Sequence, residues 1–160
     1  MKKALAVLSL VVLLAVAGLA VAQEAATPQE VYDMVQKAAT VLQNLGPEGL
    51  AAFNDPKGEF VWKDSYVFVQ QCPTQVVAHP FALAKLAGRD LTKEYPFQKT
   101  LCDGAKDPKG RWVEYMWPRK KGEQPSRKIA FIIQVPGQPY QVAAGIYNDT
   151  ITLDELNSKR

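Results

Sequence analysis

The side chains best suited to chemistry in this 160-residue sequence are few and widely spaced. The only histidine is His79, and it stands directly before Pro80, which biases the histidine backbone towards an extended conformation. An imidazole with a pKa near neutrality could donate a hydrogen bond to a carboxylate and make binding depend on pH. A half-buried histidine that hydrogen-bonds the loop backbone and holds the turn would give the same pattern. The sequence leaves both roles open for His79.

A lysine opens one of the most apolar segments of the chain. Lys128 precedes the run 129–133, and strand alternation places it on the face of Ala130 and Ile132. An ammonium group beside apolar side chains needs an anion, because an unpaired buried charge is costly or loses its proton. Lys128 is therefore expected either to meet a ligand carboxylate or to reach past the end of the strand into water.

Aromatic side chains alternate along several predicted strands. Tyr115 and Trp117 share one face of a strand, Tyr66 and Phe68 share a face of an earlier strand, and Tyr147 closes the last strand. Aromatic residues on a sheet face usually belong to the core. A buried tyrosine hydroxyl nevertheless needs a partner, so these tyrosines could orient a polar ligand in an apolar pocket.

Patterns typical of enzymes, metal sites and nucleic-acid-binding proteins do not occur in the sequence. The single histidine has no credible nucleophile to act on, the aspartates lack EF-hand spacing, and no Gly-x-Ser-x-Gly or phosphate loop is present. The formal net charge is only +3, and the one basic cluster is 119–121, which disfavours nucleic acid as a partner. We therefore expect a binding protein without catalysis, cofactor or metal.

The first 22 residues have the pattern of a secretory signal peptide. Two lysines precede the uncharged apolar run 4–21, and Ala20-Val21-Ala22 supplies a small-x-small cleavage site. The alternative is an uncleaved anchor, because the run approaches the roughly 20 residues that a membrane-spanning helix needs. Cleavage after Ala22 is preferred, and it predicts a periplasmic or secreted protein whose single domain spans 23–160.

Cys72 and Cys102 are the only two cysteines. An even number of cysteines in an exported protein favours a disulfide bond. A metal pair or a redox pair is disfavoured because no Cys-x-x-Cys spacing occurs. In the chain-entropy model a bridge between these positions stabilises the fold by about 3–4 kcal/mol.

Hydrophobic periodicity predicts an α+β domain. Apolar residues recur at helical spacing over 28–45, and Thr27-Pro28 is typical of a helix start. Strand patterns lie at 59–63, 65–72, 75–79, 111–117, 128–135 and 140–147. Shorter helical patterns lie at 80–88, 96–102 and 153–158. This order predicts one antiparallel sheet with the helices gathered on one side.

Six segments succeed one another as they do in the single Cache domain. They are DSYVFV (64–69), VVAHP (76–80), LAGRDL (86–91), GRWVEYMWP (110–118), KIAFI (128–132) and AAGIY (143–147). The sequence therefore resembles this family over about residues 30–149. The resemblance implies a PAS-like fold in which a long N-terminal helix packs on a central antiparallel sheet of five to six strands with a helix-and-loop insertion. It also implies an extracytoplasmic sensor that binds small organic acids or amino acids between sheet and insertion.

The same resemblance indicates a ligand site. Tyr115, Trp117 and Tyr147 match the family's Y-x-W and G-x-Y positions, while Lys128 and His79 match its lysine and its His-Pro motif. The expected ligand-binding residues are Tyr66, Phe68, His79, Tyr115, Trp117, Lys128 and Tyr147. Relatives that hold carboxylates tightly often use an arginine before the His-Pro motif. This chain has none between 23 and 88, so the charge of the ligand stays open.

Two functions follow from these patterns. The preferred one is a standalone periplasmic module that binds a small organic ligand, preferably a carboxylate, and signals to a membrane receptor or sensor protein. No second apolar span or signalling helix follows Tyr147 in the sequence. The alternative is a structural or interaction protein with a degenerate pocket that serves a membrane or redox complex. The space beneath Tyr115 and Trp117 distinguishes the two.

Overall fold

The computed structural model describes residues 24–120 and 122–160. The signal peptide predicted at 1–22 lies outside the described residues and stays a prediction. Within the described part of the chain, no helix combines the length and the apolar character needed to cross a membrane.

A long amphipathic helix opens the domain. Helix α1 spans Pro28–Leu45, as the sequence predicts. Its start is fixed by a capping box, in which the Thr27 side chain accepts from the Glu30 amide and the Glu30 carboxylate accepts from the Thr27 amide. One apolar face of α1 is buried against the sheet, and a 3₁₀ helix, Gly46–Phe53, follows directly.

Six strands form one antiparallel sheet. They are β1 (Val61–Trp62), β2 (Ser65–Gln71), β3 (Gln75–Ala78), β4 (Arg111–Pro118), β5 (Pro125–Gln134) and β6 (Gln141–Tyr147). The spatial order is β1-β2-β6-β5-β4. Strand β3 lies outside this order and pairs with β2 on the edge opposite β6. The prediction of an α+β fold with a long N-terminal helix on a sheet of five to six strands is confirmed.

The two faces of the sheet are covered by different parts of the chain. Helix α1 and the C-terminal helix α4 (Leu153–Ser158) contribute to the core on one face. Between β3 and β4 the insertion forms α2 (Leu83–Leu86) and α3 (Phe97–Gly104), and α3 packs on the opposite face. The prediction that all helices gather on one side is therefore wrong. Strand β5 is apolar on both faces, so both faces have to be covered.

A disulfide bond joins the insertion to the sheet. Cys72 follows β2 and Cys102 lies in α3, and their sulfur atoms are 2.06 Å apart, which confirms the predicted pairing. The amide of Cys72 also donates to Oε1 of Gln141 on β6 at 2.8 Å. The position of α3 over the sheet is thus held covalently.

Removing the disulfide should lower the free energy of unfolding by about 3–4 kcal/mol, because the bridge restricts the unfolded chain across a separation of 30 residues. The measurement is urea denaturation of the double variant Cys72→Ser/Cys102→Ser. Wild-type protein treated with a reductant is the control and should match the double variant. An unchanged unfolding midpoint in both samples would contradict this account.

Candidate functional site

The sheet face beneath the insertion borders a cavity. Five of the expected site residues line it: Tyr66, Phe68, His79, Tyr115 and Trp117. We call Tyr66, Phe68, Tyr115 and Trp117 the aromatic wall. The cavity volume available to water is about 20 Å³. A cavity needs about 10–15 Å³ of such volume to hold one water molecule. A larger ligand therefore has to displace side chains.

Lys128 lies against the aromatic wall and is fully buried. The strand register pairs it with Tyr115 on β4 and Tyr147 on β6, and its relative exposure is 0%. Its Nζ is 3.9 Å from the ring centroid of Tyr66 and 5.4 Å from that of Tyr147. Among the described residues, none accepts a hydrogen bond from this ammonium. The alternative in which Lys128 reaches water is therefore wrong.

A glycine makes room for the lysine. A Cβ added at Gly145 would lie 3.0 Å from Cε of Lys128 and 2.6 Å from the carbonyl oxygen of Ile129. Because a real Cβ does not approach a backbone oxygen so closely, the pairing of β5 with β6 requires glycine here, and the missing Cβ also leaves space for the lysine side chain that reaches Tyr66.

The charge of Lys128 is only partly compensated. Burial lowers the pKa of its ammonium to about 7, and the nearby carboxylate of Asp64 opposes that fall. The rings of Tyr66 and Tyr147 supply cation–π attraction, which is weaker than a bonded anion. Near neutral pH the group is therefore divided between its charged and neutral forms.

The structure shows the second role that the sequence left open for His79, and it also places the ring at the cavity. Its Nδ1 accepts from the amides of Phe81 and Ala82, each at 3.1 Å, so it holds the turn after β3. The neutral ring consequently carries its proton on Nε2. The same ring lines the cavity and lies 4.8 Å from the ring of Tyr66.

The expected titration of His79 near neutrality is wrong. Burial, and next the charge of Lys128, lower the pKa of His79 to about 3. The imidazole is therefore neutral at physiological pH. Sensitivity to pH near neutrality belongs to Lys128 instead.

Tyr147 packs beside Lys128, and the residues that line the cavity do not include it. Its hydroxyl donates to the carbonyl oxygen of Pro118 at 2.9 Å, and the Arg119 guanidinium lies 4.7 Å from the ring centroid. Burial raises the pKa of Tyr147 to about 12, and burial also raises the pKa of Tyr66 and of Tyr115. All three are neutral phenols, and the hydroxyl of Tyr147 already serves the backbone.

Sequence reasoning missed the residues of the insertion. Phe97 stacks on Tyr115 with ring centroids 4.5 Å apart, Tyr95 lies 5.7 Å from Trp117, and Gln98 also lines the cavity. The only sequence signal was a short helical pattern beginning near an aromatic pair. That pattern does not tell which face of the sheet the helix covers.

The polar groups available to a ligand are few. No cluster of three or more His, Cys, Asp or Glu side chains that could hold a metal ion is found in residues 24–120 and 122–160. The remaining candidates at or beside the cavity are the ammonium of Lys128, Nε2 of His79, the hydroxyl of Tyr115 and the amide of Gln98. This set can bind and orient a small anion.

Lys128→Met should raise the free energy of unfolding at neutral pH by about 1–4 kcal/mol, because an apolar side chain of similar size replaces a buried uncompensated charge. Urea denaturation measures the change. The matched control is Lys57→Met at an exposed lysine, which should leave stability within about 0.5 kcal/mol. A destabilised Lys128→Met variant would show that the ammonium is satisfied in the folded protein.

This stabilisation should depend on pH. The pKa of Lys128 is about 7 when folded and 10.5 ordinarily, so between these values the unfolded chain binds more protons. The contribution of Lys128 to stability therefore rises with pH across this window. The gain from Lys128→Met should be largest below pH 7 and shrink by about 1.4 kcal/mol per unit above it. A gain that stays constant between about pH 6 and pH 9.5 would contradict the depressed pKa.

Comparison with solved structures shows the same fold in domains of chemotaxis and chemosensory proteins. The chain is similar to a methyl-accepting chemotaxis protein from Vibrio parahaemolyticus RIMD 2210633, with TM-score 0.61 and 15% identity over 78% of this chain and 90% of that one. It is also similar to a Cache chemosensory domain solved to explain carboxylic acid recognition. The TM-score is 0.59 and the identity 19%, over 76% of this chain and 92% of that one. A periplasmic sensor domain of a chemotaxis protein gives a TM-score of 0.54 and 21% identity over 76% of this chain and 90% of that one.

Sequence comparison agrees with the structural likeness. No curated protein sequence matches the chain. A family model described as the Cache domain matches residues 57–152, which is more than half of the sequence. The chain belongs to the Cache domain family.

Proposed function

We propose that this protein is an extracytoplasmic module that binds a small organic anion, preferably a carboxylate, and carries out no catalysis. The observation that carries the proposal is the ammonium of Lys128, which is buried against the ring of the cavity-lining Tyr66 and has no acceptor among the described residues. A carboxylate bound there would form a charge-assisted hydrogen bond and remove the cost of the uncompensated charge.

The proposed site consists of the seven residues Tyr66, Phe68, His79, Tyr115, Trp117, Lys128 and Tyr147. Lys128 binds the carboxylate, and the Nε2–H of His79 donates a second hydrogen bond without adding charge. The aromatic wall buries the apolar part of the ligand. Because the cavity is narrow, the ligand has few heavy atoms and side chains rearrange when it binds.

The relatives support this proposal by analogy. One was solved to explain carboxylic acid recognition, and another is a periplasmic sensor domain. We infer the same location here, with the signal peptide removed after Ala22 and a membrane receptor or sensor protein as the partner. The chain's own residues, rather than the relatives, have to establish the ligand, because identities of 21% and below support the fold alone.

One observation favours a second function. The cavity volume of about 20 Å³ has room for about one water molecule, so the protein's own side chains nearly fill this part of the core. A protein with a closed Cache pocket would serve as a structural or interaction component of a membrane or redox complex. In that case Lys128 would remain without a ligand.

A thermal-shift screen of short carboxylates, amino acids and amines at about pH 6 distinguishes the two functions. A carboxylate at a hundred times its dissociation constant should stabilise the protein by about 2.7 kcal/mol. Affinity should fall about tenfold per pH unit above 7, because the ligand binds the ammonium form of Lys128.

The same screen includes two variants. Lys128→Met should abolish the response to carboxylates, whereas Lys57→Met at an exposed lysine should respond as the wild type does. Melting curves that stay flat for the wild type across the library would support the second function. A full response in Lys128→Met would show that the anion binds elsewhere.

A further inference from the structure

A buried glutamine of the insertion faces the cavity without a protein partner. Gln98 is 4% exposed and lines the cavity from α3. Within the described part of the chain, its side-chain amide makes no hydrogen bond. The other buried residues of α3 are Leu101, Cys102 and Gly104. Gln98 therefore supplies the one amide side chain on the buried face of this helix.

Two other buried glutamines show what such a side chain usually does in this protein. Nε2 of Gln70 lies 3.3 Å from Sγ of Cys72, and Gln141 accepts from the Cys72 amide and donates to Gln134. Gln98 differs from both because neither end of its amide bonds a protein group within the described chain, whereas Gln70 lacks a partner only at its buried Oε1. Without a bond to a protein group, the amide of Gln98 stabilises the fold no better than leucine or methionine would on the same helix face, and it remains available to a ligand.

The position of Gln98 is well defined. Cys102 lies one helical turn later and is bonded to Cys72, and the neighbouring ring of Phe97 stacks on Tyr115. The amide is therefore presented to the cavity from the insertion, whereas Lys128 approaches the aromatic wall from the sheet. A small ligand between them would meet a charged donor on one side and a neutral donor and acceptor on the other.

We propose that Gln98 hydrogen-bonds a neutral polar group of the ligand while Lys128 binds its carboxylate, which makes hydroxy- and oxo-carboxylates the preferred ligands over unsubstituted acids. This assignment rests on the proposed function. The amide can donate to a carbonyl oxygen and can either donate to or accept from a hydroxyl. A ligand that bonds both residues also bridges the sheet and the insertion.

Calorimetric titration at about pH 6 with matched acids tests the assignment, using protein produced from the full-length sequence. The comparisons are glycolate and glyoxylate with acetate, and 3-hydroxybutyrate and acetoacetate with butyrate. In at least one set the wild type should bind the substituted acid about tenfold more tightly, the effect of one net hydrogen bond.

Gln98→Met keeps the length of the side chain and removes the amide. In this variant the affinity ratio should fall from about ten to about one, chiefly through weaker binding of the substituted acid. Gln98→Leu is measured in parallel and decides the test if the methionine variant does not fold, as judged by its thermal midpoint. Gln43→Met, at an exposed glutamine of α1, is the matched control and should keep the wild-type ratio.

The possible outcomes separate this assignment from the proposed function. Equal wild-type affinities within both sets, or a ratio that survives removal of the Gln98 amide, would overturn the role of Gln98 and leave carboxylate binding intact. Failure of the wild type to bind any of these acids would overturn both. A ratio lost in both Gln98 variants and kept in the control supports the assignment.

Discussion

The proposed site depends on one incompletely compensated charge, the ammonium of Lys128 buried at the sheet. Nothing in the described chain neutralises it by direct contact, and the ring of Tyr66 at 3.9 Å supplies only cation–π attraction. Gly145 makes this placement sterically possible because any Cβ there would meet Cε of the lysine. The buried ammonium thus lowers the stability of the fold, and a destabilising residue of this kind is typical of a binding site.

The same charge determines the state of its neighbours. Burial together with Lys128 keeps His79 neutral, so the imidazole acts as a donor without adding a second positive charge. A site with one ammonium and several neutral polar groups suits a ligand with a single negative charge. Asp64, whose carboxylate opposes the fall in the pKa of Lys128, also accepts from the Ala26 amide at 2.8 Å. The charge balance of the site is therefore linked to the segment that precedes α1.

Strand alternation predicted from sequence which side chains share a face, because a period of two leaves no choice once a strand is recognised. On that basis Tyr115 was correctly placed with Trp117, and Tyr66 with Phe68, whereas their meeting with Lys128 was expected only from the resemblance to the Cache family. The path of the insertion was not predictable, since α3 has only eight residues and its cover of the opposite face depends on non-local packing. The neutral state of His79 was equally out of reach, because a depressed pKa reflects burial that spacing alone does not reveal.

The narrow cavity and the disulfide together limit how a ligand can enter. Cys102 ties α3 to the sheet, so that helix cannot move away without breaking a covalent bond. The segment between α2 and α3 is held by noncovalent contacts, namely burial of Leu91, packing of Tyr95 on Trp117 and a backbone hydrogen bond from Leu91 to Thr74. Because noncovalent contacts of this kind open at much lower cost than a disulfide, residues 86–95 can be displaced from the cavity at lower cost than α3. The disulfide would then keep Gln98 in place while the neighbouring segment admits the ligand.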